Sequence, residues 1–290
     1  MDDLPEEIER CGFRASANAI LAPMTVIDQF RITKRSPYPQ TVVDLPTALA
    51  TNGPWLAIVP HDDDLVIGMG LVAMAAIAAG IELHVAVVSD GCMGYATVAE
   101  RAGIVARRRA EMEASCVMLG LPASHIHWLG FPDGDLPSWQ GCRAVTGQND
   151  PVGIARSLTA TMRRVRPTLV FGPTATDIHP DHRVVASELD IACFHASGVI
   201  WLELGAPIAL PRRWDYAVYC PFPQPPAVEL RATSALFTRK LDAIAAFASQ
   251  EQIAALVARM RAAGPVEYLR EVTWEPYHPG LYAGLFTVVS

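Results

Sequence analysis

The sequence predicts an α/β fold, a mostly parallel and doubly wound sheet with helices on both faces, and three observations carry that expectation. Short apolar runs alternate with longer helix-like stretches at the spacing of βαβ units, whose crossovers are right-handed. Glycine and proline punctuate the ends of those stretches, as at Gly80 and at Gly120 with Pro122 just beyond. The chain is 290 residues long, 51% hydrophobic and only 18% charged, which suits a well-packed globular domain rather than a disordered chain.

In chain order, residues 1–53 are expected to be an irregular lead-in packed on the core, because Pro5, Pro23, Pro37, Pro39 and Pro46 break any long element. Residues 54–290 are expected to form a single domain. Trp55–Pro60 reads as a buried strand and Leu65–Ala79, apolar nearly all round, as a buried helix. A β-branched strand follows at Ile81–Val88, then a helix over about Val98–Leu119 and a strand at His125–Leu129. After a Gly/Pro-rich loop come a helix over about Pro151–Val165, a strand at Thr168–Phe171 and a helix from about Pro180. Tyr216–Tyr219 and Tyr282–Val289 read as later strands flanking one long helix, about Phe237–Ala262. The whole reads as Rossmann-like.

Composition excludes several partner classes. The net charge is −7 and the clustered arginines sit inside helical patterns, so no nucleic-acid footprint is expected. The six cysteines form no Cys-x-x-Cys pair, which argues against a structural zinc module and a disulfide framework and suggests a reducing compartment. The acidic start, Met-Asp-Asp-Leu-Pro-Glu-Glu, is unlike a secretory signal, and the longest apolar run, Leu71–Ile81, is too short to span a bilayer. A cytoplasmic location without membrane attachment is expected, with homo-oligomerisation open.

Ligands of open α/β sheets bind beyond the carboxyl ends of the strands. Two features fall there: His61-Asp62-Asp63-Asp64 after the first strand, and Asp177-Ile-His179-Pro-Asp181-His182 after the strand at Thr168–Phe171. Repelling carboxylates gathered at one rim call for a cation, and a metal is the simplest. A hydrolytic zinc site needs three His or Asp/Glu ligands and an open position. His61, Asp64 and His182 can supply them. Asp63, beside a ligand, could then act as general base toward a water, and His179 could donate a hydrogen bond or proton, with Asp181 fixing its tautomer. Either motif alone also reads as a capped helix start, and Asp177 reads as a loop cap outside the site. His84, His125 and His127 read as structural histidines in strands.

These motifs resemble those of the PIG-L/LmbE-like deacetylase family, whose first motif is His-Pro-Asp-Asp-Glu and whose second is His-Pro-Asp-His. The second stands intact at His179–His182. Likeness continues through Val88–Gly94, Arg108-Arg-Ala-Glu111 with Leu119-Gly120, Phe131-Pro-Asp133-Gly134 and Lys240–Gln250, covering about positions 54–280. The resemblance implies zinc-dependent removal of an N-acyl group, most simply acetyl, from an amino sugar or glucosamine-containing small molecule. It implies His61, Asp64 and His182 as metal ligands, Asp63 as base, and His179 as the electrophilic or acid histidine held by Asp181. It suggests further that Arg108 and Asp133 reach sugar hydroxyls, although Arg108 could equally pair with Glu111 on a solvated helix face. Two departures stand out: Asp62 replaces the proline and Leu65 the glutamate. Asp62 adds a charge beside the metal and could take over the base role or attract a second cation. Ferrous iron suits two histidines and a carboxylate as well as zinc does. Rival readings are an amidase for a larger acyl group or conjugate, a magnesium phosphohydrolase, which would want basic residues that neither motif has, and a sugar-binding homologue without catalysis.

Overall fold

Along the chain the elements are β1 (Phe30–Lys34), β2 (Thr41–Val43), α1 (Leu45–Leu49), β3 (Trp55–Val59), α2 (Asp64–Ala78), β4 (Leu83–Ser89), α3 (Ile104–Leu119), β5 (Ile126–Phe131), α4 (Ile154–Val165), β6 (Leu169–Pro173), α5 (Pro180–Ser197), β7 (Arg212–Tyr216), β8 (Val228–Ala232), α6 (Ser234–Ala245), α7 (Ile253–Ala263) and β9 (Val266–Val272). The structure, a computed structural model, describes residues 29–35, 41–144, 150–274 and 276–286. The strands form one mixed sheet in the order β2-β1-β8-β9-β7-β6-β3-β4-β5. The run from β7 to β5 is parallel throughout, while β9, β8, β1 and β2 extend it antiparallel.

The apolar strands are buried on both faces because each alternate side chain enters a different core. Trp55, Ala57 and Val59 of β3 pack with α2 and α3 on one face, and Leu56 and Ile58 pack with α4 and α5 on the other. Burying one such Leu or Ile side chain contributes about 1.5–3 kcal/mol. That is why a continuous apolar run, rather than an alternating one, marks the parallel strands. The pairing of Trp55 with Leu169 and Ala57 with Phe171 brings the carboxyl ends of β3 and β6 side by side. The loops that follow these two strands therefore share one rim.

Five elements differ from the sequence expectation, the first being the strand read at Tyr216–Tyr219, which lies earlier as β7 and ends at Tyr216. The lead-in is not irregular throughout, since β1 and β2 add to the sheet and α1 is capped by the Asp44 side chain, which accepts from the Thr47 amide at 2.7 Å; residues 1–28 and 36–40 of that stretch lie outside the described residues. The long helix expected over Phe237–Ala262 is two, α6 and α7. The turn between them buries Phe247, and the Ser249 amide and hydroxyl donate to Glu111 at 2.9 and 2.6 Å. The expected strand Tyr282–Val289 is helical in its described part, with 3-10 geometry over Pro279–Phe286. The strand that completes the sheet is β9, whose Val-Glu-Tyr-Leu-Arg-Glu-Val mixes charges into the pattern.

The helix α2 is also broken, at Met69 (φ −150°, ψ 30°). The backbone groups released there are taken by a buried pair from distant elements. Glu267 of β9 accepts from the amides of Leu71 and Val72 at 2.9 and 2.8 Å, and Lys240 of α6 donates to the Ile67 carbonyl at 3.0 Å while pairing with Glu267. Unpaired buried polar groups cost about 1–3 kcal/mol each. Glu267→Gln is accordingly expected to destabilise the fold by about 1–3 kcal/mol, read as a lowered denaturation midpoint with an unchanged slope. Among the described residues, no helix is long and apolar enough to cross a membrane.

Candidate metal centre

Two turns build the rim. After β3 the chain passes through Pro60 and turns over His61–Asp63 so that Asp64 opens α2, and the Asp64 carboxylate accepts from the His61 amide at 2.8 Å. After β6 the chain turns over Thr174–Asp177, and His179 caps α5, its Nδ1 accepting from the Asp181 amide at 3.3 Å. Proline at the first helical position needs no amide partner, which is why His-Pro suits this start.

The structure brings His61, Asp64 and His182 together. One carboxylate oxygen of Asp64, Oδ2, lies 3.1 Å from His61 Nδ1 and 3.2 Å from His182 Nε2. All three are buried, His182 completely. The far nitrogen of each imidazole is held by carboxylates: His182 Nδ1 by Asp177 at 3.2 Å, and His61 Nε2 by Asp133 at 3.2 Å and Asp181 at 3.4 Å. Such outer partners fix the tautomer and raise the basicity of metal-binding histidines. Among the described residues the buried His182 Nε2 finds no properly directed hydrogen-bond partner, a costly state for a polar atom unless a cation completes it. Nitrogen and oxygen donors in this number fit a divalent transition metal. Donor atoms of His61, His179 and His182 also lie within 4.8 Å of one another, as do those of His61, Asp133 and Asp181.

Two expected contacts come out differently. The Asp181 carboxylate does not hold His179; it accepts from the Gly134 amide at 3.0 Å and faces His61, because the first turn of α5 aims it back across the rim. Arg108 pairs neither with Glu111 nor with solvent. Only 4% exposed, it donates through Nε to both oxygens of Asp62 at 2.9 Å, pairs with Asp62 again through Nη2, and reaches Asp63 at 3.3 Å. Gly91 and Gly94 make room for it: Gly91 has φ +71°, and a Cβ on Gly94 would meet Arg108 Nη1 at 2.4 Å. The extra charge of Asp62 is thus neutralised locally, and Asp62 is buried in an ion pair while Asp63 keeps an edge on the rim.

Sequence reasoning passed over Asp177 and Tyr219. Asp177 accepts from the His179 amide at 3.0 Å and the Tyr219 amide at 3.4 Å as well as holding His182. Its spacing, two before one histidine and five before the other, was the available signal. Tyr219, arriving from the loop after β7, stacks on His179 at 5.7 Å between ring centroids, and nothing local in the sequence marks it.

Burial pushes the Asp63 carboxyl up to about 6, with Arg108 pulling it down and Asp64 and Asp62 adding to the rise. Burial opposes charge on His182, but Asp64 and Asp177 more than offset it and hold the ring at about 9. His61 is likewise raised well above its ordinary value by Asp133, Asp181 and Asp64, against the effect of burial. Burial and the two neighbouring imidazoles lower His179. A metal must displace protons from both raised histidines, so apparent Zn2+ affinity is expected to climb with pH from 6 towards 9 and binding to release protons. In the metal-free protein the His182 contribution to stability is full below about 6.5, its unfolded value, and is lost as pH rises to about 9. Calorimetric titration in buffers of different ionisation heat checks the proton release; a pH-independent affinity would contradict it.

Residues 56–193 match the family model described as PIG-L, GlcNAc-PI de-N-acetylase. A diacetylchitobiose deacetylase of Thermococcus kodakarensis is 32% identical over 133 residues, which are 44% of this chain and 44% of that protein, so the match spans less than half of the relative's length. Among solved structures, the N,N'-diacetylchitobiose deacetylase of Pyrococcus horikoshii superposes with a TM-score of 0.62 at 23% identity, over 82% of this chain and 91% of the other. GalB of Pseudomonas putida KT2440, a 4-carboxy-2-hydroxymuconate hydratase, gives 0.60 at 19% identity, over 78% and 99%. At these identities the two structures show the shared fold alone, and the hydratase shows that this fold serves more than one reaction. The chain thus resembles the PIG-L/LmbE-like deacetylases, and its residues 56–193, which hold both histidine–aspartate motifs, carry the PIG-L family pattern.

Proposed function

We propose that this chain hydrolyses an N-acyl group, most simply acetyl, from an amino sugar or glucosamine-containing small molecule, with zinc, or ferrous iron, held by His61, Asp64 and His182. The observation that carries the reading is the single Asp64 oxygen facing both imidazoles with Asp63, its side chain 14% exposed, beside it. The family pattern and the relative's substrate support the amide and the sugar. We also read the sheet as doubly wound and Rossmann-like, supported by the reversal of strand order between β3 and β6, where the site lies.

When bound, the metal supplies Lewis acidity toward an amide carbonyl and lowers the pKa of a water. Asp63 takes the proton of the attacking water as its oxygen bonds to the amide carbon. The carbonyl electron pair moves onto oxygen, where His179 donates a hydrogen bond. The tautomer of His179 suits that donation, because Nδ1 accepts from the Asp181 amide and in the neutral ring Nε2 then carries the hydrogen. Collapse breaks the C–N bond, and the proton on Asp63 passes to the leaving amine. Arg108 balances Asp62 and Asp63 from behind, and Asp133 steadies His61, so both are engaged by the protein rather than extended toward sugar hydroxyls.

The test is to incubate zinc-loaded enzyme with N-acetylglucosamine and diacetylchitobiose and to measure acetate and free amine. Equal release of the two, abolished by a chelator and restored by zinc, is the expected result. Full metal occupancy with no acetate from either compound contradicts the acetyl-sugar reading.

A further inference from the structure

A second group of histidines lies at the opposite end of the parallel strands. His84 stands near the start of β4, His125 leads into β5, the edge strand, and His127 is the second residue of β5. The His84 and His125 rings stack with centroids 4.2 Å apart, and His84 Nε2 lies 2.9 Å from a carboxylate oxygen of the exposed Glu82. One donor atom from each of Glu82, His84 and His125 falls within 4.8 Å of the other two. His125 Nδ1 lies 2.9 Å from the Leu83 carbonyl, an acceptor only, so Nδ1 carries the hydrogen and Nε2 offers a lone pair. A backbone carbonyl in this role is the usual outer partner of a metal-binding imidazole.

We propose that Glu82, His84 and His125 form a second, peripheral site for a divalent transition metal of the zinc or copper class, clamping the edge strand β5 to β4. Two imidazoles and a carboxylate with open positions suit such ions better than magnesium or calcium. The neighbouring contacts show how His84 is freed for it. Arg164, a donor only, lies 3.3 Å from His127 Nδ1, which places the His127 hydrogen on Nε2, 3.1 Å from His84 Nδ1. His84 Nδ1 then accepts, and its Nε2 hydrogen points at Glu82. On metal binding the His84 hydrogen shifts from Nε2 to Nδ1 and that of His127 from Nε2 to Nδ1, with the exposed Arg164 side chain swinging away. Both rings stay neutral and no net proton is lost.

The test is zinc stoichiometry of the full chain, by native mass spectrometry and calorimetry, for wild type, Glu82→Gln and His125→Gln. Wild type is expected to take up one ion more than His125→Gln, and Glu82→Gln to bind that ion at least tenfold more weakly. Both variants should retain the ion at His61, Asp64 and His182 and unchanged hydrolysis. Glu82 is exposed, so its variant guards against a folding defect. Equal stoichiometry and equal affinity in wild type and both variants would overturn the proposal.

Discussion

Asp63→Asn is expected to lower kcat by about 10²–10⁴-fold while leaving metal content unchanged, the range that removal of a general base gives. Asn is isosteric and cannot accept the proton, and Asp63 is not one of the three donors that face one another across the rim. The pH profile supplies an independent check. Burial holds the Asp63 carboxyl near 6, and the base works only when ionised, so wild-type kcat/KM should fall through an acidic limb at or below about 6. Asp63→Asn should lose that limb. A variant with normal kcat would hand the base role to another carboxylate. Asp62 is poorly placed to take it, being buried and clamped by Arg108.

Arg108→Ala carries the largest expected effect on stability. It leaves the Asp62 carboxylate buried without its cation, and breaking a buried pair from one side costs about 3–5 kcal/mol. In a domain of this size that is a loss of roughly 10 °C in Tm. Asp62→Ala in the same background should recover most of the loss, because the uncompensated charge is then gone, and the double-mutant cycle reads the coupling directly. The acidic limb should also move. Arg108 pulls the Asp63 carboxyl down, so removing the guanidinium raises it and shifts the limb to higher pH. If Arg108→Ala folds as stably as wild type, the local neutralisation of Asp62 is wrong.

How much of this could be read from sequence depends on how far apart the partners lie. That His61, Asp64 and His182 converge was legible because each sits in a short motif directly after an apolar strand, and the parallel pairing of β3 and β6 does the rest. Asp177 was legible in principle, since its spacing to His179 and His182 is fixed by one turn and one helix start, but a loop cap has the same appearance. Arg108 was read for sugar hydroxyls or for Glu111, three residues on. Its partner is Asp62, 46 positions earlier, and that pairing exists only once α3 is docked on the loop of Gly91 and Gly94. The break in α2 was invisible for the same reason, as Glu267 and Lys240, which satisfy it, arrive from the far end of the chain. The antiparallel strands β8 and β9 escaped because half of their side chains are polar or exposed, which leaves no apolar run to find.

The central claim is a metal held by His61, Asp64 and His182, and anomalous diffraction from crystals grown with zinc tests it most directly. The expected result is a peak at the zinc edge lying about 2.0–2.2 Å from an imidazole nitrogen of each histidine and from Asp64 Oδ2, lost in Asp64→Ala. A peak among other donors of the rim, or no peak there in a zinc-loaded crystal, would contradict it.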